Sequence, residues 1–220
     1  FLNKALGLDY DYIATGHYAQ VDFDQSLEKF RLLAASDLSK DQSYFLYNLT
    51  QDQLNHTLFP IGHLLKSEVR QIAARLNLPN ATKKDSQGIC FVGEVNVKEF
   101  LGKKVESKFG NIINPEGVVL GRHQGLAYYT IGQREGVGIS QKIPHYVVSK
   151  DKKTNTIVAA PFNDENHYKL AIQVEKVNWV GEKPAVGESI QARIRYRQPL
   201  FDVKIKKLIE KGAEIEFLEP

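Results

Sequence analysis

Apolar and polar positions along this chain follow two different spacings, and the change falls around residues 103–110. Before it, helical and strand patterns mix. "LNKALGL" (2–8) reads as the end of a helix, and "DYIATGHYAQV" (11–21) as a strand rich in β-branched and aromatic residues, broken at Gly16-His17. "FRLLAAS" (30–36) is the expected hairpin partner. Thr50 and Gln53 have capping-box spacing at the head of "TQDQLNHTL". In "SEVRQIAARLNLP" (67–79), Val69, Ile72, Ala73 and Leu76 fall at i, i+3, i+4 and i+7, one apolar stripe that stops ahead of Pro79. Asn96 and Glu99 repeat the capping-box spacing and predict a short helix through "VKEFLG".

Beyond that point the pattern is strand and turn. "GNIINPEGVVLG" (110–121) predicts a hairpin around Asn114-Pro115-Glu116-Gly117, and "HYVVSKDKKTNTIVAAP" (145–161) another around a polar turn. From Leu170 onward, "LAIQVEKVNWVG", "ESIQARIRYRQ", "FDVKIKKLI" and "AEIEFLEP" alternate apolar and polar residues at the intervals of a small barrel or sandwich. The expected fold is therefore an α/β part over 1–104, a middle β module over 105–168 and a C-terminal β-barrel module over 169–220. No repeat or low-complexity segment interrupts this plan.

Composition narrows the class. With 220 residues and 42% hydrophobic composition the chain can bury a real core. No run approaches the roughly 18–20 apolar residues of a membrane helix, and the first residues lack a signal-peptide pattern, so a cytoplasmic, membrane-free protein is expected. A single cysteine excludes an internal disulfide framework and a multi-cysteine zinc site. The chain begins at Phe1 and contains no methionine, which suggests a piece of a longer polypeptide. The net charge of +3 says little, but its distribution is uneven: Arg193, Arg195, Arg197, Lys204, Lys206 and Lys207 stand against one acid, Asp202.

Several segments could carry chemistry. Cys90, in "KKDSQGICFVGE", is either a buried apolar filler or a nucleophile. Lys83 and Lys84 would favour its thiolate and Gly88 would admit a substrate, while Asp85 has the wrong sign. "ATGHYA" breaks a strand at Gly16-His17, which suits either the approach of a phosphate or base to the backbone or a plain tight turn. No G-x-x-x-x-G-K-[ST] or G-x-G-x-x-G loop is present. In "SKDQSYF", Ser39 and Asp41 suit a solvated helix start, whereas Lys40 and Gln42 equally suit phosphate and base-edge contacts. "ARIRYRQ", taken as a strand, puts Arg193, Arg195 and Arg197 on one face. They would face either a polyanion or carboxylates such as Glu214 and Glu216. "YYTIGQREGVGIS" is either an RNA-facing loop or a set of barrel-corner turns.

Five of these blocks, "ATGHYA", "SKDQSYFL", "LPNATKKDSQGICFVGE", "YYTIGQREGVGI" and "ARIRYRQ", occur in an order that resembles the tRNA-specific 2-thiouridylase family over essentially the whole chain. The resemblance implies an ATP-pyrophosphatase-type α/β domain followed by two β modules that help grip tRNA. It implies an enzyme that uses ATP, with Mg2+, to adenylate the C2 oxygen of the wobble uridine and then installs sulfur from a cysteine persulfide. By match of motif Cys90 would carry the persulfide and Gly16 would contact ATP, while His17, Lys40, Asp41, Gln42, Arg195 and Tyr196 would contact tRNA. The partners it implies are the wobble-uridine tRNAs for Glu, Gln and Lys and a sulfur-relay or cysteine-desulfurase donor protein.

The family's Ser-Gly-Gly-x-Asp-Ser loop and the second cysteine, which would form a transient disulfide with Cys90, are not among these residues. The chain is therefore expected to be a fragment, with its last barrel short of closure and no activity by itself. Two other readings compete: a non-catalytic RNA-binding module with a structural cysteine, and a different RNA-modifying or pyrophosphatase-type ligase that keeps the fold.

Overall fold

The computed structural model describes residues 1–83, 102, 107–139, 141–162, 164, 170–196 and 198–218. Cys90, the helix expected through "VKEFLG" and Arg197 lie outside the described residues. The chain divides into two compact units, one built from residues 1–84 with 170–219, the other from residues 85–169.

The first unit begins with helix α1 (Leu2–Leu6) and strand β1 (Ile13–Ala14). After the Gly16-His17 break comes the expected hairpin, β2 (Ala19–Asp24) and β3 (Lys29–Ala34), paired from Ala19↔Ala34 to Asp24↔Lys29. Its turn is organised by Asp24, whose Oδ1 accepts from the Ser26 amide at 3.0 Å and the Ser26 hydroxyl at 2.6 Å. Arg31 ties the two strands through Asp22 at 2.7 Å and Asp24 at 3.4 Å.

A 3₁₀ turn over Ser43–Leu46 leads to helix α2 (Gln51–Asn55), whose capping box forms as its spacing predicts. The Gln53 amide donates to Thr50 Oγ1, and the Thr50 amide donates to Gln53 Oε1. Strand β4 (Thr57–Leu58) then pairs in parallel with β1. Gly62 follows, and a Cβ there would collide with the carbonyl of Ala19, so only glycine lets this loop lie against β2.

Helix α3 (Lys66–Arg75) carries the predicted stripe with one change. Val69, Ile72 and Ala73 are half-buried, but the helix ends at Arg75, and Leu76 is a 64% exposed cap. Asn77 takes a left-handed φ of 50°, which stops the helical run one residue early. At the other end the Leu65 amide donates to Glu68 Oε2 at 2.7 Å, and the Lys66 amide donates to Asp37 Oδ2 at 3.1 Å. An aspartate 29 positions upstream thus satisfies one of the helix's free N–H groups.

The C-terminal sheet of this unit comprises β9 (Ala171–Glu175), β10 (Ser189–Ala192), β11 (Phe201–Ile209) and β12 (Gly212–Phe217), in the order β10-β11-β12-β9 and antiparallel throughout. Alternation sends Val203, Ile205, Ala213, Ile215 and Phe217 inward. Ile172, Val174, Trp179, Ile190 and Leu208 pack against that core.

The second unit holds β5 (Gly110–Ile113), β6 (Val119–His123), β7 (His145–Asp151) and β8 (Thr156–Pro161), in the order β6-β5-β8-β7. Both predicted hairpins form, and β5 pairs in parallel with β8 between them. Ile112, Tyr129, Val137, Val147, Ile157 and Ala159 make its core. Fully buried His123 is held on both sides: its Nε2 meets the Asn155 carbonyl at 3.0 Å and its Nδ1 accepts from the Gly125 amide at 3.1 Å.

Among the described residues no helix is long and apolar enough to cross a membrane. Two outcomes test this account. Gly62→Ala is expected to destabilise the first unit by about 3 kcal/mol or more, at the upper end for overpacking, because the clash is with backbone; chemical denaturation measures it. The Ser39 hydroxyl and then the Lys66 amide hold the Asp37 carboxyl below its ordinary 3.8. A carboxylate so depressed stabilises the fold above the unfolded-state value and loses that contribution as pH falls through the folded one. Asp37→Asn is therefore expected to lose less stability than the unaltered protein between about pH 5 and about pH 3 in urea titrations.

Candidate functional site

The candidate residues of the first unit are set by two backbone breaks. β1 and β4 run parallel, and just past their carboxyl ends the Thr15 amide donates to the Leu58 carbonyl at 3.1 Å. Gly16 follows, exposed, with nothing within 4 Å of where a Cβ would stand. Its backbone is therefore open to a ligand at the edge where ligands collect in parallel sheets. His17 is half-buried, with its Nδ1 2.9 Å from Thr15 Oγ1 and its ring edge-on to Phe59. The neighbouring Tyr18 is buried, and its hydroxyl has no hydrogen-bond partner among the described residues.

The second break is the loop between β3 and the 3₁₀ turn. Asp41 is not the solvated helix start that its sequence context suggests. It is 3% exposed, and its carboxylate accepts from the Ala35 amide at 3.0 Å, the Ser43 amide at 3.2 Å and the Ser43 hydroxyl at 2.8 Å. Gln42 clasps Tyr18: its amide donates to the Tyr18 carbonyl at 2.7 Å, and its Oε1 accepts from the Tyr18 amide at 2.9 Å. Lys40 lies between these fasteners and the Asp37 turn, its amide donating to the Asp37 carbonyl. The Gln42–Tyr18 clasp holds this loop beside the Gly16-His17 break, so the two segments lie together.

The arginine-rich segment differs from the expected strand. β10 ends at Ala192, which pairs with Phe201, so residues 193–200 form the hairpin loop. The Gln198 amide donates to the Arg195 carbonyl, and the Arg195 amide donates to Gln198 Oε1, both at 3.1 Å, closing a turn. Arg193 and Arg195 are therefore not rungs of a strand ladder. The carboxylates that could have faced them are engaged elsewhere: Lys206 Nζ lies 3.5 Å from Glu214 and 3.8 Å from Glu216. In a turn, neighbouring side chains are freed from the strand's strict alternation, so Arg195 and Tyr196 can serve one surface.

The fold brings this loop to the "SKDQSYF" segment. Tyr196 packs on Phe45 with ring centroids 4.6 Å apart and on Tyr44 at 5.8 Å, and the Tyr44 hydroxyl donates to the Ile194 carbonyl at 3.1 Å. Asn178 Nδ2 reinforces the junction by donating to the carbonyls of Tyr47 at 2.8 Å and Leu49 at 3.0 Å. Gln51 Nε2 bridges the Phe30 and Val180 carbonyls. Nothing in the local sequence marks Asn178 or Gln51 as site residues, and Tyr44 and Phe45 enter only as part of the "SKDQSYF" segment. Cys90 lies outside the described residues, so the structure relates it to none of these groups. Among the described residues no three potential metal ligands come together.

The chain is thus an α/β segment with parallel strands followed by two small β modules. Three successive family models match it: the tRNA methyl transferase HUP domain over residues 1–94, the tRNA methyl transferase PRC-barrel domain over 98–161, and the aminomethyltransferase beta-barrel domain over 169–220. The chain is 45% identical over its full length to tRNA-specific 2-thiouridylase MnmA 2 of Geobacillus kaustophilus. It is 46% identical over 99% of its length to the MnmA of Methylobacillus flagellatus, and 42% identical over its full length to that of Mycoplasma capricolum. The chain spans 60%, 62% and 61% of those three relatives. It belongs to the tRNA-specific 2-thiouridylase family.

Asp41→Ala is expected to cost about 1–3 kcal/mol, because it strands the buried Ala35 amide, while Lys40→Ala stays within about 0.5 kcal/mol of the unaltered protein. Thermal and urea unfolding of the two variants check this contrast.

Proposed function

We propose that the protein built on this chain 2-thiolates the wobble uridine of tRNA, with Cys90 as the sulfur carrier. The observation that carries the reading is the seating of Tyr196 on Tyr44 and Phe45, which joins two distant family blocks into one surface. That surface supplies Lys40 and Arg195 for phosphates and the exposed ring of Phe45 for an unpaired base. His17, Asp41, Gln42 and Tyr196 complete the patch, Asp41 chiefly by holding the loop in shape. The tRNAs for Glu, Gln and Lys are the proposed substrates.

ATP supplies an AMP leaving group, because the uridine C2 oxygen leaves poorly unaided. The open backbone at Gly16 fits contact with the nucleotide, and Mg2+ would come with its phosphates. Cys90 would receive a sulfur atom from a cysteine-desulfurase or relay donor as a persulfide. Its terminal sulfur attacks C2 as the C2–O bond to AMP breaks. A second thiol then takes the Cys90 sulfur into a disulfide, which cleaves the S–S bond and leaves the thiocarbonyl on the base. Such a thiol and a pyrophosphate loop are absent from these 220 residues, so the chain alone is proposed to be inactive. A cytoplasmic location fits tRNA as substrate.

Cys90→Ser in the full protein is expected to abolish 2-thiouridine formation, read by mass spectrometry of digested tRNA, while tRNA affinity stays within about twofold. Product formed by the serine variant would instead favour a ligase with a different nucleophile. Unchanged thiolation-independent binding together with a Cys90 that never acquires sulfur would favour the RNA-binding module. Arg195→Ala is expected to reduce the slope of log affinity against log salt by about 0.9, one phosphate contact.

A further inference from the structure

The middle module has a concave site that none of the residues above uses. A cavity of about 270 Å³ is lined by Arg134, Lys142 and His145 together with the backbone of Gly136 and Gly138. Among the described residues no carboxylate lines it, and neither Arg134 nor Lys142 has an ion-pair partner. The His145 Nδ1–H donates to the Ile143 carbonyl at 2.8 Å, leaving Nε2 as the ring's remaining polar atom.

Cations on a mobile surface loop would simply be hydrated, but the Arg134 end of this loop is fastened. The Gly132 amide donates to the Val147 carbonyl of β7, and the Val147 amide donates back to the Gln133 carbonyl at 3.0 Å. The Gln133 side chain accepts from the Thr130 amide and donates to the Glu135 carbonyl, at 2.9 and 2.8 Å. Val137 is buried in the module's core, and Gly136 and Gly138 take φ values of 70° and 78°. A Cβ on Gly121 of β6 would come within 3.1 Å of the Gly138 carbonyl, so strand and loop lie close together. Arg134 and Lys142 thus face one hollow with no counter-charge among the described residues, which is unfavourable unless an anion enters. Glycines at positive φ next to cations form the kind of concavity that takes phosphate.

We infer that the Arg134–Lys142–His145 cavity binds a phosphodiester of the tRNA backbone, making the middle module a sequence-independent anchor. The inference rests on the tRNA reading above. Arg134 is suited to two phosphate oxygens at once and Lys142 acts as a point charge. The cavity is roomier than a phosphate alone, which suits a group embedded in a chain.

The test is tRNA binding by the full protein across a salt series, comparing the unaltered protein, Arg134→Ala/Lys142→Ala, and Arg195→Ala. The double variant is expected to bind about tenfold more weakly near 0.15 M salt and to lose about 0.9–1.8 from the log–log slope, one or two phosphate contacts. The charge-retaining Arg134→Lys/Lys142→Arg pair is expected to keep the parental slope. An alanine pair with the parental melting temperature, affinity and slope overturns the inference while Arg195→Ala still lowers the slope. Calorimetric binding of inorganic phosphate, abolished in the alanine pair, with an unchanged tRNA slope, also overturns it by making this a free-phosphate site. Absence of salt-dependent tRNA binding in the unaltered protein would sink the tRNA reading itself.

Discussion

The buried Asp41 carboxylate is the constraint on which the candidate surface depends. A carboxyl group that is 3% exposed is tolerated only if its oxygens are hydrogen-bonded, and here the Ala35 amide and both donors of Ser43 bond them. That forces the chain leaving β3 to fold back tightly. Gln42 is then set against Tyr18, and the next residues, Tyr44 and Phe45, emerge where the β10–β11 loop can reach them. Lys40 is carried on a pinned backbone, which leaves its side-chain rotamers as the freedom to be lost in the proposed anion contact.

The junction between the α/β segment and the C-terminal sheet follows from that placement. Beside the ring packing, side-chain amides reading backbone carbonyls make it: Asn178 to Tyr47 and Leu49, and Gln51 to Phe30 and Val180. Such bonds are directional, so they fix the angle at which Tyr196 meets Phe45 as well as their proximity. On the proposed tRNA reading, fixed geometry between separated contacts matters more than the strength of any one of them. In the middle module rigidity is obtained differently, through a buried Val137 and a glutamine that closes its own turn.

Local signals in the sequence read through where one interaction, repeated or paired at short range, decides the outcome. The capping box of α2, the three hairpins and the four C-terminal strands form as their spacing predicts, because turn chemistry and alternation act within a few residues. Where a short-range signal met a longer-range one, it lost. Arg193 and Arg195 alternate like strand residues, yet the pairing of Ala192 with Phe201 ends the ladder before them. The sequence context of Asp41 suggests an exposed cap, yet burial against β3 makes it an internal fastener.

The sequence by itself therefore determined the element types, the family blocks and the chemical inventory: one cysteine, a Gly-His break, a Lys-Asp-Gln run and a basic stretch. Only the tertiary structure decided which of these share a surface. Tyr44 and Ile194 are 150 positions apart and joined by one hydrogen bond, and no periodicity encodes a contact at that range. The same holds for the charges: the acids that could neutralise the arginines are visible in the sequence. It is strand order, with β11 lying between β10 and β12, that gives Glu214 and Glu216 to Lys206.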